Sequence, residues 1–300
     1  MSTALVTGGA GFIGSHIAEE LSRKGYNVRI LDNFSTGKKE NLQGIKAELI
    51  KGDIRDFSTV KKAMKDIDYV FHEGAFVYVT KSIEDPLLTN EININGTLNV
   101  LMAAKDSGCK KIIFASSSSV YGNTGKLPIK ETFPLNPASP YAVTKMVGEQ
   151  YCRVFYENYG LESVCLRYFN VYGSRQDPNS EYSAVIPKFI HLIKQSKPPV
   201  IFGDGEQTRD FIFVKDVAKA NMLSMKYKGF GIFNIGTGTS ITINELAEKI
   251  GYFLNNKIKP VHAESRKGDA RNSLSDITNT KKLLGLKPAY SIDIGLKETI

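Results

Sequence analysis

The sequence predicts an α/β protein built on a doubly wound parallel sheet, with a smaller C-terminal α/β lobe. Three observations carry that expectation. Short apolar segments alternate with amphipathic helical segments from Ala4 to Ser116. The first apolar segment runs straight into a glycine-rich turn, Thr7-Gly8-Gly9-Ala10-Gly11-Phe12-Ile13-Gly14. The composition is that of an ordinary globular chain, with 42% hydrophobic and 23% charged residues among 300.

Taken in order, Ala4–Thr7 reads as a buried strand and Phe12–Lys24 as a helix with Ile13, Ile17, Ala18 and Leu21 on one face. Gly25 is a helix stop. Strands follow at Asn27–Asp32, Ala47–Lys51, Tyr69–Glu73 and Lys111–Ser116, with helices at Ser58–Met64 and Pro86–Ser107. This βαβ rhythm implies a parallel sheet, helices on both faces and right-handed crossovers. A helix at Tyr141–Tyr159 leads to a sixth strand, Glu162–Arg167. Beyond Asn170 the rhythm loosens. Helical pieces at Ile186–Lys194, Val214–Met225 and Ile243–Leu254 are separated by short strands and turns such as Gly203-Asp204-Gly205. The expected division is a nucleotide-binding domain over 1–170 and a ligand-binding lobe over 171–300, interleaved because no linker-like stretch parts them. Ile292–Ile300 ends the chain inside an amphipathic pattern, so a short or truncated last helix is expected.

Bulk properties exclude several classes. No apolar run approaches the ~20 residues of a membrane span, and Met1-Ser2-Thr3 leads into the first strand without a secretory pattern. Cys109, Cys152 and Cys165 form no CxxC pair, so neither a disulfide framework nor a metal site is expected, and a cytoplasmic setting fits. The charge of +8 comes from scattered lysines rather than a basic block. It reads as a solvated surface with no nucleic-acid motif. His16, His191 and His262 lack ligand spacing, and His72 at a strand end reads as structural.

Two groups of residues carry chemistry. In the first, Gly8, Gly11 and Gly14 permit a tight turn, close approach of backbone to a pyrophosphate, and close packing of helix on strand. The helix N-terminus then offers free N–H groups to the phosphates. The spacing is GxxGxxG rather than GxGxxG. Asp32 ends the second strand, where a carboxylate accepts from adenosine ribose hydroxyls and repels a 2′-phosphate, which favours NAD over NADP. Asp53-Ile54 follows the third strand, where an adenine contact is expected. In the second group, Tyr141 and Lys145 stand one helical turn apart on one face. An ordinary phenol titrates near ~10, and a neighbouring ammonium lowers it towards use as a base. The serine run Ser116–Ser119 ends the fifth strand, where a hydroxyl can orient a reacting group.

Further motifs fall in order along the chain: Leu31–Asn33, Gly52–Ile54, His72–Ala75, Asn93–Thr97, Ser116–Gly122, Leu166–Pro178 and Phe202–Ala218. Together with the glycine turn and Tyr141–Lys145, they resemble the extended short-chain dehydrogenase/reductases, within them the NAD-dependent nucleotide-sugar epimerase/dehydratase group, and nearest the UDP-glucose (UDP-galactose) 4-epimerases. The resemblance covers almost the whole chain. It implies a Rossmann-type fold, resident NAD, a UDP-sugar substrate, a homodimer formed through the helices at Pro86–Ser107 and Tyr141–Tyr159, and reversible C4 epimerisation through a transient 4-keto sugar. By the same resemblance Tyr141 is base and acid, Lys145 tunes it, Ser117 meets the reacting hydroxyl and Ser118 assists. Phe12, Ile13, Asp32, Asn33, Asp53, Ile54, Gly74, Ala75, Asn93 and Phe169 surround the cofactor. Asn170, Arg209 and Arg266 hold the diphosphate, Asp269 stands on the ribose side, and backbone near Ile186 and Val200 flanks the uracil.

The chain departs from the pattern in places. Dehydratases of the group resemble STDEVYG where this chain has Ser118 and Ser119 before Val120-Tyr121-Gly122. Elimination of water needs an acid and a base there, so dehydration is disfavoured. Val77 stands where a lysine is common, and Glu73 where an apolar residue is common, which suggests weaker cofactor retention. Ser273 occupies a position that a bulky tyrosine fills in some epimerases. A small residue there leaves room for an N-acetyl group, so UDP-N-acetylglucosamine 4-epimerisation, alone or with the glucose form, is the alternative. A UDP-glucuronate epimerase stands behind it.

Overall fold

The computed structural model describes residues 2–177, 184–256, 258–265 and 271–300. The first half alternates as expected: β1 (Thr3–Thr7), α1 (Phe12–Arg23), β2 (Asn27–Asp32), β3 (Glu48–Lys51), α2 (Phe57–Ala63), β4 (Tyr69–His72), α3 (Val79–Glu84), α4 (Pro86–Asn90), α5 (Gly96–Asp106), β5 (Lys111–Ser117), α6 (Pro140–Tyr159) and β6 (Glu162–Tyr168). Shorter elements follow: β7 (Asn170–Tyr172), α7 (Val185–Lys194), β8 (Val200–Phe202), β9 (Thr208–Arg209), β10 (Phe211–Phe213), α8 (Val214–Ser224), β11 (Phe230–Ile235), β12 (Ile241–Thr242), α9 (Ile243–Phe253), β13 (Val261–Ala263) and α10 (Ile292–Thr299).

The main sheet has seven strands in the order β11-β6-β5-β4-β1-β2-β3, every pairing parallel. A parallel sheet is covered on both faces, so its inner strands are largely apolar, whereas the edge strand β3 is mostly exposed. One face packs Val6, Ile30, Phe71 and Leu166 against α1 and α8, and the other packs Leu5, Val70, Ile112 and Cys165 against α2, α5 and α6. Strand order reverses between β1 and β4. In such sheets ligands bind outside the carboxyl ends of the strands at that reversal.

Three features differ from the sequence reading. The helix expected over Pro86–Ser107 is α4 and α5 joined by a π-turn at Glu91–Asn95. α3 was not foreseen: it is six residues long with Val79 and Ile83 exposed, so it shows no core-facing stripe. The seventh strand of the main sheet is β11, from well beyond residue 170, and α8 packs on α1. Among the described residues, three two-stranded ladders lie outside that sheet, β7–β10 and β8–β13 parallel and β9–β12 antiparallel.

Candidate active site

β1 delivers the glycine turn to the point where strand order reverses. Gly8 has φ of +67°, which a side chain resists, and a Cβ there would lie 2.7 Å from the Gly74 nitrogen. A Cβ on Gly14 would lie 2.3 Å from the Gly8 carbonyl oxygen. The missing side chains let backbone from β1, α1 and the end of β4 converge at the start of a 12-residue helix. Asp32 is buried at the end of β2 and braces the turn, accepting from Ala10 N at 2.9 Å and Phe34 N at 2.8 Å. Phe12 and Ile13 begin α1, half-buried against the lobe. Beyond β3, Asn33 Nδ2 donates to Asp53 Oδ2 at 2.9 Å, and Arg55 holds the Asp53 carboxyl down at about 2. Ile54 is buried against Gly96. The cradle shaped by absent Cβ atoms, with a carboxylate at the end of β2, fits a dinucleotide of the NAD type. Gly14→Ala is therefore expected to weaken NAD binding at least about tenfold, measured by calorimetric titration; unchanged affinity would refute the role given to this turn.

A buried chain of hydrogen bonds forms the floor beneath Gly74 and Ala75. Gly74 N donates to Thr7 Oγ1 at 3.1 Å, and Thr7 Oγ1 lies 2.7 Å from His72 Nδ1. His72 Nε2 lies 3.0 Å from Thr97 Oγ1, which donates to the Asn93 carbonyl. Since the hydroxyl of Thr97 is spent on that carbonyl, His72 donates through Nε2 and accepts at Nδ1. Burial pushes its pKa down to about 3, so it is a neutral structural histidine. The π-turn places Asn93, whose amide accepts from Phe76 N at 2.7 Å and donates to Phe76 O and Thr144 Oγ1 at 3.0 Å. It thereby fixes the segment after Ala75.

α6 starts at Pro140, with Ser139 Oγ accepting from Ala142 N at 3.2 Å. Tyr141, Lys145 and Glu149 follow on one face. The helix sits close on β5, since a Cβ on Gly148 would lie 2.3 Å from the ring of buried Phe114. Lys145 is buried. Its Nζ donates to the Ala115 carbonyl at 2.7 Å and stands 5.1 Å from the centre of the Phe114 ring and 5.9 Å from that of Tyr141. The Ser117 side chain acts on the Tyr141 phenol, drawing its pKa down against burial. Ser117 Oγ also accepts from Ser119 N at 3.1 Å and Ser119 Oγ at 2.9 Å. Ser118 is half-buried in the same tight turn. Burial pushes the phenol up to about 12 against the pull of Ser117, and pushes Lys145 down to about 8 against the pull of Glu73. The phenol is thus protonated at neutral pH in this arrangement. The phenolate of the sequence reading rests on a cationic nicotinamide as well as on the neighbouring ammonium, and burial acts against it.

On the lobe side, Phe169 is buried against Val120, Tyr121 and Ile129. Asn170 donates to the Asp210 carbonyl from N and Nδ2, at 3.1 and 3.0 Å. Asp210 is buried, and its carboxylate accepts from Thr237, Gly238 and Ser275. Arg209 on β9 donates to the carbonyls of Thr208 and Arg271 at 2.9 and 3.3 Å. It lines a cavity of about 650 Å³ with Phe211, Ile241, Lys281, Lys287 and Tyr290, which Tyr141, Lys145 and Ser117 do not line. Ile186 lies on α7 and Val200 on β8. Ser273 is half-buried, its N–H donating to Thr208 O at 3.0 Å. Arg266 and Asp269 lie outside the described residues.

Sequence reasoning missed a buried polar network behind the serine turn. Ser116 Oγ donates to Glu149, and Arg167 clamps the Glu149 carboxylate through Nε at 2.8 Å and Nη2 at 2.7 Å. Arg167 Nη1 also donates to Tyr121 Oη at 2.8 Å, which donates to Asn234 Oδ1 at 2.6 Å. The one available signal was spacing: Glu149 stands one turn beyond Lys145 on the face that carries the reacting groups. Among the described residues there is no cluster of His, Cys, Asp or Glu able to hold a metal, and no helix long and apolar enough to cross a membrane.

Comparison with known proteins places this geometry among relatives. A model of the NAD dependent epimerase/dehydratase family matches residues 4–236. A UDP-glucose 4-epimerase of Mycolicibacterium smegmatis is 37% identical over 99% of this chain and 96% of its own. Among solved structures, a UDP-N-acetylglucosamine 4-epimerase of Methanobrevibacter ruminantium, in complex with UDP-N-acetylmuramic acid, superposes with a TM-score of 0.96 at 46% identity, covering 99% of this chain and 96% of the other. A UDP-glucose 4-epimerase of Thermotoga maritima, with UDP-glucose, gives a TM-score of 0.96 at 40% identity, covering 99% and 97%.

Proposed function

The chain belongs to the NAD-dependent epimerase/dehydratase family, and from that premise we propose that it interconverts UDP-glucose and UDP-galactose by reversible epimerisation at C4. The observation that carries this reading is the placement of Tyr141 and Lys145 one helical turn apart on α6, with Lys145 Nζ seated on the Ala115 carbonyl of β5 and Ser117 at the carboxyl end of that strand. In the cycle Tyr141 takes the proton of the C4 hydroxyl and gives it back, while Ser117 holds the same sugar oxygen by hydrogen bond. The ammonium of Lys145 stabilises the phenolate that exists before that proton is taken and after it is returned. Bound NAD supplies a hydride acceptor that is regenerated within each turnover. Asn170, Arg209, Arg266 and Asp269 anchor the nucleotide so that the sugar can turn in place, and the paired geometry of arginine suits a diphosphate. Hydroxyls at Ser118 and Ser119, where elimination needs an acid and a base, support epimerisation over dehydration.

One observation favours a second substrate. Ser273 brings little side-chain volume beside Thr208, and the Methanobrevibacter relative is named for UDP-N-acetylglucosamine. Dual use of the N-acetylated sugar is therefore the alternative, ahead of UDP-glucuronate. The same reading includes a homodimer: Leu87, Met102, Val143, Val154 and Tyr159 leave apolar surface exposed on α4, α5 and α6 for a second copy. The decisive measurement is to incubate the purified protein and NAD separately with UDP-galactose, UDP-N-acetylgalactosamine and UDP-glucuronate, and to identify the products. UDP-galactose is expected to yield UDP-glucose with no net NADH. Stoichiometric NADH or a 4-keto-6-deoxy sugar would overturn the reading, and absence of N-acetylglucosamine product would end the alternative.

A further inference from the structure

Three stretches that carry the proposed substrate residues converge on one buried carboxylate. Asp210 lies between β9 and β10 and is fully enclosed. Its Oδ1 accepts from Thr237 N at 2.8 Å and Thr237 Oγ1 at 2.7 Å. Its Oδ2 accepts from Gly238 N and Ser275 N, both at 3.1 Å, and from the Ser275 hydroxyl. Its carbonyl accepts from N and Nδ2 of Asn170. The seat is close-fitting: a Cβ on Gly236 would lie 2.3 Å from Ser275 Oγ and 2.8 Å from Asp210 Oδ2. The segment that leads to Ser275 carries Ser273. On one edge it meets β9, where Thr208 N donates to Arg271 O at 3.1 Å and Ser273 N donates to Thr208 O at 3.0 Å. Arg209 Nη1 reaches the same Arg271 carbonyl at 3.3 Å. On the other edge Ile129 N donates to Leu274 O and Asp276 N to Ile129 O, both at 2.8 Å.

We propose that Asp210 is a positioning residue whose carboxylate clasps the segment bearing Ser273 to the strand ends bearing Arg209 and Asn170, and so sets the substrate's place on the lobe. The inference rests on the reading of Asn170, Arg209 and Ser273 as substrate residues and assigns the buried carboxylate behind them a part in it. Backbone bonds run along both edges of the segment. The carboxylate adds a tie to the turn after β11, at Thr237 and Gly238. Its donors stand 27, 28 and 65 residues away in the chain, so no local structure brings them together. The seat also demands a carboxylate. Three of its five donors are backbone N–H groups, one on Oδ1 and two on Oδ2. A backbone N–H cannot turn round to accept, whereas a hydroxyl can. An asparagine amide would therefore set its NH2 against at least one of them in either orientation. It matches aspartate in size, yet leaves a buried N–H without an acceptor, which is costly.

The test uses the NAD-loaded protein with UDP-galactose, and with UDP alone. Asp210→Asn is expected to raise KM for UDP-galactose and Kd for UDP about tenfold, with kcat within about threefold of the parent and NAD affinity unchanged. Hydrogen exchange read by mass spectrometry is expected to quicken in peptides covering 236–239 and 271–277, and to stay at the parent rate in α1. Leu21→Ala, which opens a cavity on the buried face of α1, is expected to lower Tm and leave KM unchanged. Parent KM and parent exchange over 271–277 in folded Asp210→Asn would overturn the proposal. So would an equal rise of KM in Leu21→Ala and Asp210→Asn, which is the signature of general loosening. If Asp210→Asn does not fold, the double variant Thr237→Val with Ser275→Ala deletes both hydroxyl donors and keeps the carboxylate. It is expected to raise the Kd for UDP at least about threefold, and an unchanged Kd would overturn the proposal. If the parent neither binds UDP nor turns over a UDP-sugar, the functional reading falls, while exchange over 271–277 still decides whether Asp210 holds that segment.

Discussion

Tyr141→Phe is expected to bind NAD with near-parent affinity and to turn over UDP-galactose about 10³-fold more slowly. The magnitude is that of removing a positioned general acid and base. The argument is geometric. The phenol stands on a helix held close over Phe114 by Gly148, with Lys145 one turn along seated on the Ala115 carbonyl. Phenylalanine keeps the ring and its packing and deletes only the atom that carries the proton. Glycine-turn contacts are untouched, so cofactor affinity is expected to persist. The protonated phenol of the isolated arrangement sharpens the expectation. Burial holds it near 12, so its ionisation must be driven by charge brought into the site, and a cationic nicotinamide is the group that the family supplies. Steady-state kinetics with calorimetric titration of NAD on the same preparation checks both halves. Turnover near the parent rate would refute the role assigned to Tyr141, and loss of NAD binding with turnover would show a structural role instead.

What was legible in the sequence follows from where patterns are dictated by physics. Each of the first six strands lies within one residue of its expected bounds; the inner ones are covered on both faces and so read as apolar runs, whereas β3 at the edge is mostly exposed. The glycine turn was legible because backbone crowding at Gly8 and Gly14 leaves no room for another residue. Boundaries failed where no period marks them. The π-turn at Glu91–Asn95 adds no change of composition to an amphipathic run, yet it is what aims Asn93 at Phe76. β11 falls within the 171–300 lobe of the sequence reading, where the βα rhythm loosens, yet its parallel pairing with β6 completes the main sheet. Charged residues on a helix are read by default as solvent-facing, so Glu149 passed unnoticed although it is fully buried. Glu73 was visible only as a departure from a motif, and its partner Tyr168 is distant in sequence.

Glu149 carries the second large expectation. Glu149→Ala is expected to destabilise the protein by about 3–5 kcal/mol, since it leaves the Arg167 guanidinium buried with its main counter-charge gone. In a chain of this size that corresponds to a fall in Tm on the order of 10 °C. The pair is fully enclosed and bidentate, so neither water nor rotation can compensate. The loss should also spread. Arg167 joins α6 to Tyr121 and the Glu131 carbonyl, and Tyr121 reaches Asn234 in β11. One buried charge pair thus ties the helix that bears Tyr141 to the strand on the lobe side of the sheet. A double variant, Glu149→Leu with Arg167→Met, separates pairing from packing. Replacing both partners removes the uncompensated charge, and such exchanges are often neutral or stabilising. Calorimetry is therefore expected to show the double variant recovering most of the Tm lost by Glu149→Ala. A double variant as unstable as the single one would mean that the hydrogen bonds to Ser116 and Tyr121, rather than the buried charge, hold α6 in place.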